Sequence, residues 1–262
     1  MNVIRIIQEF LPLVLLLPIT LVVHFVNIKP FQRGFFCDDH SLKYPYIENE
    51  TIPQYIWFVI WILISGVTIL ITQILNQSTS FKDLKRMITG LLCCILLTDV
   101  AKYSVGRLRP HFLTLCNPDY NNVCFDEEAY YSDGDEELLN EFYQKYVNGS
   151  EVCNNENSHL LHEARLSFMS GHASFSFYCA TFLILYMKSK QLNWMSKIAP
   201  CIQILLFVLA TWISFTRISD YYHYPFDIVC GALTGVGFAL YFSVTEKKLD
   251  ETPTGETIQP MM

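Results

Sequence analysis

Charged side chains are scarce in this chain. Aspartate, glutamate, lysine and arginine make up 16% of the 262 residues, whereas 52% of the residues are hydrophobic. A soluble protein of this length would be short of polar surface with such a composition. The sequence also lacks an internal repeat, a glycine-rich phosphate loop and a basic patch for nucleic acid. These absences argue against a repeat protein, a P-loop enzyme and a nucleic-acid-binding protein, and they favour a membrane protein.

Six apolar runs predict membrane-spanning helices, each of which needs roughly 17 to 25 apolar residues. The runs cover residues 10–28, 55–75, 87–103, 173–187, 198–215 and 226–242. The fourth run is short and needs residues 167–172 to reach that length. One or two such runs would also suit core helices of a soluble domain, but six of them favour an all-α integral membrane protein with a six-helix bundle.

The distribution of lysine and arginine predicts the orientation in the membrane, because these residues accumulate on the cytoplasmic side. Basic residues lie between the second and third runs, between the fourth and fifth, and after the sixth, whereas residues 107–165 form a strongly acidic connection. We therefore predict that both termini are cytosolic. The expected parts are a membrane domain over 1–245 with outer loops at about 29–53, 104–167 and 216–225, and a disordered cytosolic tail over 246–262. The first run is interpreted as a retained signal anchor.

Four of the nine cysteines fall in the predicted outer loops, where an oxidising compartment permits disulfides. These four, which allow three pairings, are Cys37, Cys116, Cys124 and Cys153. The pairing of Cys116 with Cys124 is the most local one. The other cysteines lie in apolar runs and are interpreted as small buried hydrophobic residues. There is no CxxC pair and no histidine–cysteine cluster, so the sequence predicts no metal.

The outer loops also contain acceptor sequences for N-glycosylation at Asn49 and Asn148, and we predict a glycan on Asn148. Asn76 begins a third acceptor sequence, but its predicted position is cytosolic. In the long outer loop, leucine and aromatic residues recur at helical spacing over 132–146. This pattern predicts a short amphipathic helix, although a solvated acidic loop fits the composition equally well.

Three short polar stretches lie where apolar runs meet outer loops. Ionisable side chains at membrane depth are costly and usually mark a functional site. The stretches cover residues 102–110, 170–176 and 216–227. In the first, Lys102 precedes Arg109 by seven residues, and Gly106 lets the backbone turn between them. Lysine and arginine suit phosphate oxygens, but these side chains could also extend to the membrane interface, or Lys102 could pair with Asp99.

The second stretch, Ser170-Gly171-His172, opens the fourth apolar run. A helix start presents unpaired N–H groups and a positive dipole end to an anion, and Gly171 would let the backbone approach that anion closely. The structural alternative is a serine that only caps the helix. A cap alone does not account for the histidine that follows.

The third stretch contains His223 and Asp227, four residues apart, which places the imidazole and the carboxylate on one helix face. A carboxylate bonded to one ring nitrogen would fix the tautomer and leave the other nitrogen free as a nucleophile. Arg217 precedes His223 by six residues and is placed to reach phosphoryl oxygens. A lone His–Asp pair is more often structural, but the other two stretches favour a phosphate site.

Together these residues resemble the motifs of the lipid phosphate phosphatases, in the type 2 phosphatidic acid phosphatase superfamily that shares its site with vanadium haloperoxidases. The family pattern is Lys, six residues, Arg-Pro; then Ser-Gly-His; then Ser-Arg, five residues, His, three residues, Asp. Residues 30–46 are also similar to the eukaryotic members. Two departures occur: Met169 stands where many members have proline, and Thr216 replaces the serine but keeps its hydroxyl.

The resemblance implies an active phosphoric monoester hydrolase that uses no cofactor and no metal ion. His223 would attack phosphorus and form a phosphohistidine, with Asp227 orienting its ring. His172 would protonate the departing alkoxide and later activate water. The side chains and backbone groups that would hold the phosphate oxygens are those of Lys102, Arg109, Ser170, Gly171 and Arg217.

The resemblance also implies the partners. Expected substrates are phosphatidate, lysophosphatidate, ceramide 1-phosphate and sphingosine 1-phosphate, hydrolysed at the outer face of the membrane, and the family suggests a homo-oligomer. The expected location is the plasma membrane with an extracellular or luminal site, with the Golgi and the endoplasmic reticulum as alternatives. Two other functions stay open. The chain could be a non-catalytic membrane scaffold or adhesion protein of the same fold, or a related phosphatase for isoprenoid or soluble phosphates.

Overall fold

The computed structural model describes residues 3–26, 28–76, 81–124, 145–148, 152–190 and 197–251, with the backbone alone at 3–9, 54, 121 and 244–251. The fold is mostly helical. In chain order its elements are α1 (Val3–Phe25), β1 (Phe35–Phe36), a 3-10 turn (His40–Leu42), α2 (Gln54–Leu75), α3 (Lys82–Val105), α4 (Phe112–Cys116), α5 (Tyr120–Cys124), β2 (Tyr146–Val147), α6 (Ser158–Glu163), α7 (Gly171–Lys190), α8 (Ala199–Ser219) and α9 (Pro225–Glu251).

Within the described residues, four helices are long and apolar enough to cross a membrane. They are Tyr55–Leu75, Lys82–Val105, Ala199–Ser219 and Pro225–Ser243. Their outward faces carry exposed large hydrophobic side chains, as expected for helices that contact lipid. The first predicted run appears as a shorter apolar helix, Phe10–Phe25. The chain is therefore a helical membrane protein, and four of the six predicted spans correspond to these four helices.

Helix α7 forms the centre of the helical assembly, because α2, α3, α8 and α9 all pack against it. Its polar residues face protein: Trp61 donates a hydrogen bond from Nε1 to Ser176 Oγ at 2.9 Å, and Thr98 Oγ1 lies 3.0 Å from Ser174 Oγ. A helix surrounded by other helices can bury polar side chains against them, as Ser174 and Ser176 show. The fourth run was predicted to need residues 167–172, but the helix begins at Gly171, so residues 167–170 precede it.

The contact between α7 and α9 is close because glycine lies at the crossing. A Cβ atom on Gly231 would come within 2.6 Å of the Ser170 carbonyl oxygen, and one on Gly235 would collide with the Ser174 carbonyl oxygen. Without side chains at these positions, the backbones of α7 and α9 can approach. This packing places the first turn of α9 directly beside the start of α7.

A small layer built from the predicted outer loops covers this end of the helices. Strands β1 and β2 pair antiparallel, and the two disulfides are Cys37–Cys124 and Cys116–Cys153. The local pairing of Cys116 with Cys124 therefore does not form. Cys153 forms an isolated β-bridge with Pro118, two residues after Cys116, and Cys37 and Cys124 belong to the same buried cluster.

Two further sequence expectations meet the structure only in part. The amphipathic helix predicted over 132–146 lies outside the described residues except at its end, where Tyr146 belongs to β2. Helix α9 continues to Glu251, past the point where the sequence predicts the tail to begin, and residues 252–262 lie outside the described residues.

Candidate active site

The three polar stretches meet at one end of the helical assembly. The ammonium group of Lys102 lies 3.3 Å from the position that a Cβ atom on Gly171 would occupy, so the first stretch touches the second. The backbone N–H of Ser170 donates a hydrogen bond to the Asp227 carbonyl oxygen at 3.2 Å, so the second stretch touches the third. The fold thus brings together residues that are more than one hundred positions apart in the chain.

Lys102 lies in the last turn of α3. Gly106 ends that helix in the left-handed conformation, with φ of 54°, and donates a backbone hydrogen bond to the Lys102 carbonyl oxygen at 3.0 Å. The predicted turn at this glycine is confirmed. Asp99 lies 4.0 Å from the ammonium group, but its other carboxylate oxygen is bonded to His24 Nδ1 at 2.8 Å. Lys102 is therefore only loosely paired with Asp99 and stays directed towards Gly171.

The guanidinium groups of Arg109 and Arg217 share one aromatic neighbour. Their Cζ atoms lie 5.0 Å and 5.2 Å from the centroid of the Tyr222 ring, which is within range of a cation–π interaction. Arg109 donates from Nη2 to Glu163 Oε2 at 3.2 Å, and Arg217 donates from Nη1 to Glu50 Oε2 at 2.8 Å. Both cations are thus held beside the same ring by carboxylates from the connecting loops.

Three buried nitrogen atoms of the polar stretches lack a hydrogen-bond partner among the described residues, and so does Nε1 of the nearby Trp57. The three are Arg109 Nε, Arg217 Nε and His172 Nε2. Buried polar atoms are bonded in the large majority of cases, so three exceptions within the polar stretches call for a ligand with acceptor atoms. A phosphate group supplies such acceptors.

His172 follows Gly171 at the start of α7. Its ring packs against the Trp57 ring with the centroids 4.6 Å apart and the planes inclined at 48°. The aromatic contact restricts the imidazole, and its Nε2 atom is the unpartnered one. The hydroxyl of Ser170 accepts a long hydrogen bond of 3.4 Å from the Ala173 N–H, so the serine does cap α7 as the structural alternative proposed.

His223 is held by a backbone carbonyl. Its Nδ1 atom lies 2.7 Å from the Ser167 oxygen, whereas Asp227 Oδ2 is 4.0 Å from the same nitrogen. A distance of 4.0 Å is too long for a hydrogen bond, so the predicted bond between Asp227 and the imidazole is wrong. Because a carbonyl oxygen can only accept, Nδ1 carries the proton and Nε2 keeps its lone pair.

The Asp227 carboxylate is fully buried and has other partners. Arg107 Nη1 donates to Oδ1 at 2.7 Å, while Ser167 Oγ and the Tyr224 N–H donate to Oδ2 at 2.7 Å and 3.1 Å. Asp227 therefore holds the Ser167 hydroxyl, and the Ser167 carbonyl orients the His223 ring. The spacing of the motifs gave no sign of Ser167, whereas Arg107 already belonged to the first stretch.

The electrostatic surroundings keep His223 neutral. Burial comes first, then the positive charges of Arg109 and Lys102 and the neighbouring His172, and together they lower the pKa of His223 well below its ordinary value, although the bond to Ser167 opposes this. An imidazole with a lowered pKa is in its neutral form, with a proton on only one ring nitrogen, at neutral pH. The free Nε2 lone pair is thus available for attack on an electrophile.

Comparison with known proteins agrees with the motifs. The model of the PAP2 superfamily matches residues 83–250. The chain belongs to the PAP2 superfamily. Phospholipid phosphatase 1 of Rattus norvegicus is 35% identical over 254 residues, which cover 87% of this chain and 83% of the rat protein. Phospholipid phosphatase 2 of Homo sapiens is 34% identical over 230 residues, which cover 79% of this chain and 70% of the human protein. No solved structure matches the chain.

The PAP2 match contains all three polar stretches but not every residue at the site. Glu50, which pairs with Arg217, and His24, which binds Asp99 beside Lys102, precede the matched region. The first part of the chain therefore contributes Glu50, which contacts a motif residue of this PAP2 protein, and His24, which contacts Asp99 beside another.

Proposed function

We propose that this protein is a lipid phosphate phosphatase, a hydrolase that removes the phosphate group from phosphatidate, lysophosphatidate, ceramide 1-phosphate or sphingosine 1-phosphate. The observation that carries the proposal is the set of unpartnered buried nitrogens of Arg109, Arg217 and His172 beside a neutral His223. The two relatives, both named phospholipid phosphatases, support the class of substrate.

In the first step, Nε2 of His223 attacks the phosphorus atom in line with the ester oxygen. The P–O bond to the lipid breaks, and the leaving alkoxide takes a proton from His172. A water molecule then gives up a proton to His172 and attacks the phosphohistidine, which releases inorganic phosphate and restores His223. Both imidazoles are needed in this sequence, one as the nucleophile and one as the acid and base.

The equatorial oxygens of the phosphoryl group carry the charge that must be stabilised in the transition state. Fixed cations provide this stabilisation through Lys102, Arg109 and Arg217, while the start of α7 offers the Gly171 N–H and the Ser170 side chain. Because the cations are covalently part of the chain, the reaction is expected to proceed in EDTA. Asp227 acts as a positioning residue through Ser167.

The orientation follows from charge and from the position of the site. We propose six spanning helices within a membrane domain over 1–245, with both termini and the tail over 246–262 in the cytosol. The disulfide layer and the site share one end of the helices, and disulfides persist in oxidising compartments. The site would then face the exterior of the plasma membrane, or the lumen of the Golgi or endoplasmic reticulum, as a monomer or a homo-oligomer.

Phosphate release from phosphatidate in detergent micelles with EDTA tests this function. Release by the purified wild type supports it, whereas no release from any of the four lipid phosphates would contradict it. A panel containing an isoprenoid phosphate and a soluble phosphate ester identifies the related-enzyme alternative. Orthovanadate, which mimics phosphate, separates an enzyme from a scaffold, because a scaffold without a phosphate site would not bind it.

A further inference from the structure

Two residues of the first outer loop, Glu50 and Thr51, contact the group around Arg217. Thr51 donates from Oγ1 to Asp220 Oδ1 at 2.7 Å and from its backbone N–H to Asp220 Oδ2 at 2.9 Å. Asp220 is itself buried, and its Oδ2 atom accepts a hydrogen bond from Arg217 Nη2 at 2.6 Å. Thr51 therefore holds the Asp220 carboxylate in place, and Asp220 in turn holds Arg217.

Glu50 is the second carboxylate that binds Arg217. Its Oε2 atom accepts from Arg217 Nη1 at 2.8 Å, so that both terminal nitrogens of the guanidinium group are held by carboxylates. The guanidinium is planar, and two charge-assisted hydrogen bonds determine its orientation. The Nε–H group remains without a partner among the described residues. It is the edge of Arg217 that can bind a phosphate oxygen.

The loop that carries these residues is tied to the site at more than one point. Tyr222 donates from its hydroxyl to the Ile47 carbonyl oxygen at 3.1 Å, and the Tyr44 ring stacks on Tyr221 with the centroids 4.6 Å apart. The backbone before Glu50 is thus fixed to the same segment that contains His223. A loop anchored in this way can hold a side chain in one position.

We propose that Glu50 and Thr51 are positioning residues for Arg217, and that they present its Nε–H group to the substrate phosphate. This inference rests on the proposed phosphate site. If Glu50 did not position Arg217, its negative charge alone would repel phosphate. The two roles have opposite consequences when Glu50 is replaced, and this difference makes the inference testable.

Thr51 offers a matched set of variants, because it is also the third residue of the acceptor sequence that begins at Asn49. Thr51→Val removes the hydroxyl and the acceptor sequence, Asn49→Gln removes the acceptor sequence alone, and Thr51→Ser keeps both. Orthovanadate affinity is measured for each purified protein from the shift in melting temperature with concentration. KM and kcat for phosphatidate are measured in EDTA.

We expect Thr51→Val to weaken vanadate binding about 10-fold, as for the loss of a hydrogen bond to a charged group. KM should rise by a similar factor. Thr51→Ser should restore most of the affinity, and Asn49→Gln should bind vanadate like the wild type. If Thr51→Val binds vanadate as the wild type does, or if Asn49→Gln reproduces its defect, the inference is overturned.

Glu50→Ala provides an independent test should Thr51→Val fold poorly. Positioning predicts weaker vanadate binding, because Arg217 loses one of its two anchors. Simple charge repulsion predicts tighter binding, and that result would overturn the inference. An inactive wild type that still binds vanadate would contradict the proposed function while leaving the vanadate constants to decide the role of Glu50 and Thr51.

Discussion

The Nδ1 atom of His223 lies 2.7 Å from the carbonyl oxygen of Ser167, at the end of the loop that leads into α7. A neutral acceptor in this position fixes the tautomer without adding negative charge beside the ring. The lowered pKa of His223 is consistent with this arrangement, because a bonded carboxylate would have favoured the charged imidazolium. The nucleophile is thus oriented by a backbone carbonyl, and Asp227 acts on it indirectly, through the Ser167 side chain.

Asp227→Ala should destabilise the protein much more than Ser167→Ala. The first change removes a buried carboxylate that accepts three hydrogen bonds, at about 1.5–3 kcal/mol for each hydrogen bond to a charged group. Ser167→Ala removes one of these three donors, at a cost of about 1.5–3 kcal/mol, and keeps the carbonyl that binds His223. Chemical denaturation in detergent measures both values. Equal losses would show that Arg107 is not the principal partner of Asp227.

A pH titration of stability should reveal the buried His111. Burial and the charge of Arg109 lower its pKa to about 3, and its Nδ1 donates to the Tyr221 carbonyl oxygen at 2.9 Å. The unfolded chain binds a proton near pH 6.5 and the folded chain does not, so the stability from neutral His111 is present above pH 6.5 and is lost as the pH falls towards 3.

His111 contributes about 1.4 kcal/mol per pH unit to the slope of the unfolding free energy against pH below pH 6.5. His111→Gln should remove this part of the pH dependence, since glutamine carries no titrating group. His159→Gln, at an exposed position, is the matched control and should keep the wild-type slope. Identical slopes for the wild type and His111→Gln between pH 4 and 6.5 would contradict the account.

The sequence revealed the motif residues of the site because they are polar or charged residues, or glycine, at the ends of apolar runs. It could not reveal Ser167, since the group that binds His223 is a carbonyl that every residue possesses. Nor could it reveal Glu50, which is separated from Arg217 by 167 positions and belongs to no motif. Contacts of this kind depend on how the loops fold over the helices, and no periodicity in the chain encodes them.

The disulfide pairing shows the same limit. Local spacing favoured Cys116 with Cys124, but long-range packing of the loops brings other partners together. Peptide mapping without reduction should recover the pairs Cys37–Cys124 and Cys116–Cys153. A peptide that links Cys116 to Cys124 would contradict the structure. Cys37→Ser should cost about 2–5 kcal/mol, as is typical for the loss of a native disulfide.

Glycosylation tests the proposed orientation. Asn148 is exposed next to β2, so a glycan on this residue is expected when the protein is made in eukaryotic cells. Treatment with a peptide N-glycosidase should shift the wild type on a gel, and Asn148→Gln should reduce that shift. A glycan on Asn76, at the end of α2, would place the opposite end of the helices outside and contradict the orientation.

Phosphate release from phosphatidate micelles in EDTA, compared between the wild type and His223→Ala, is the most direct test of the central claim. His159→Gln serves as a histidine control outside the site. The account predicts release by the wild type and the control, and background release by His223→Ala because the nucleophile is missing. Equal rates for the wild type and His223→Ala would contradict it.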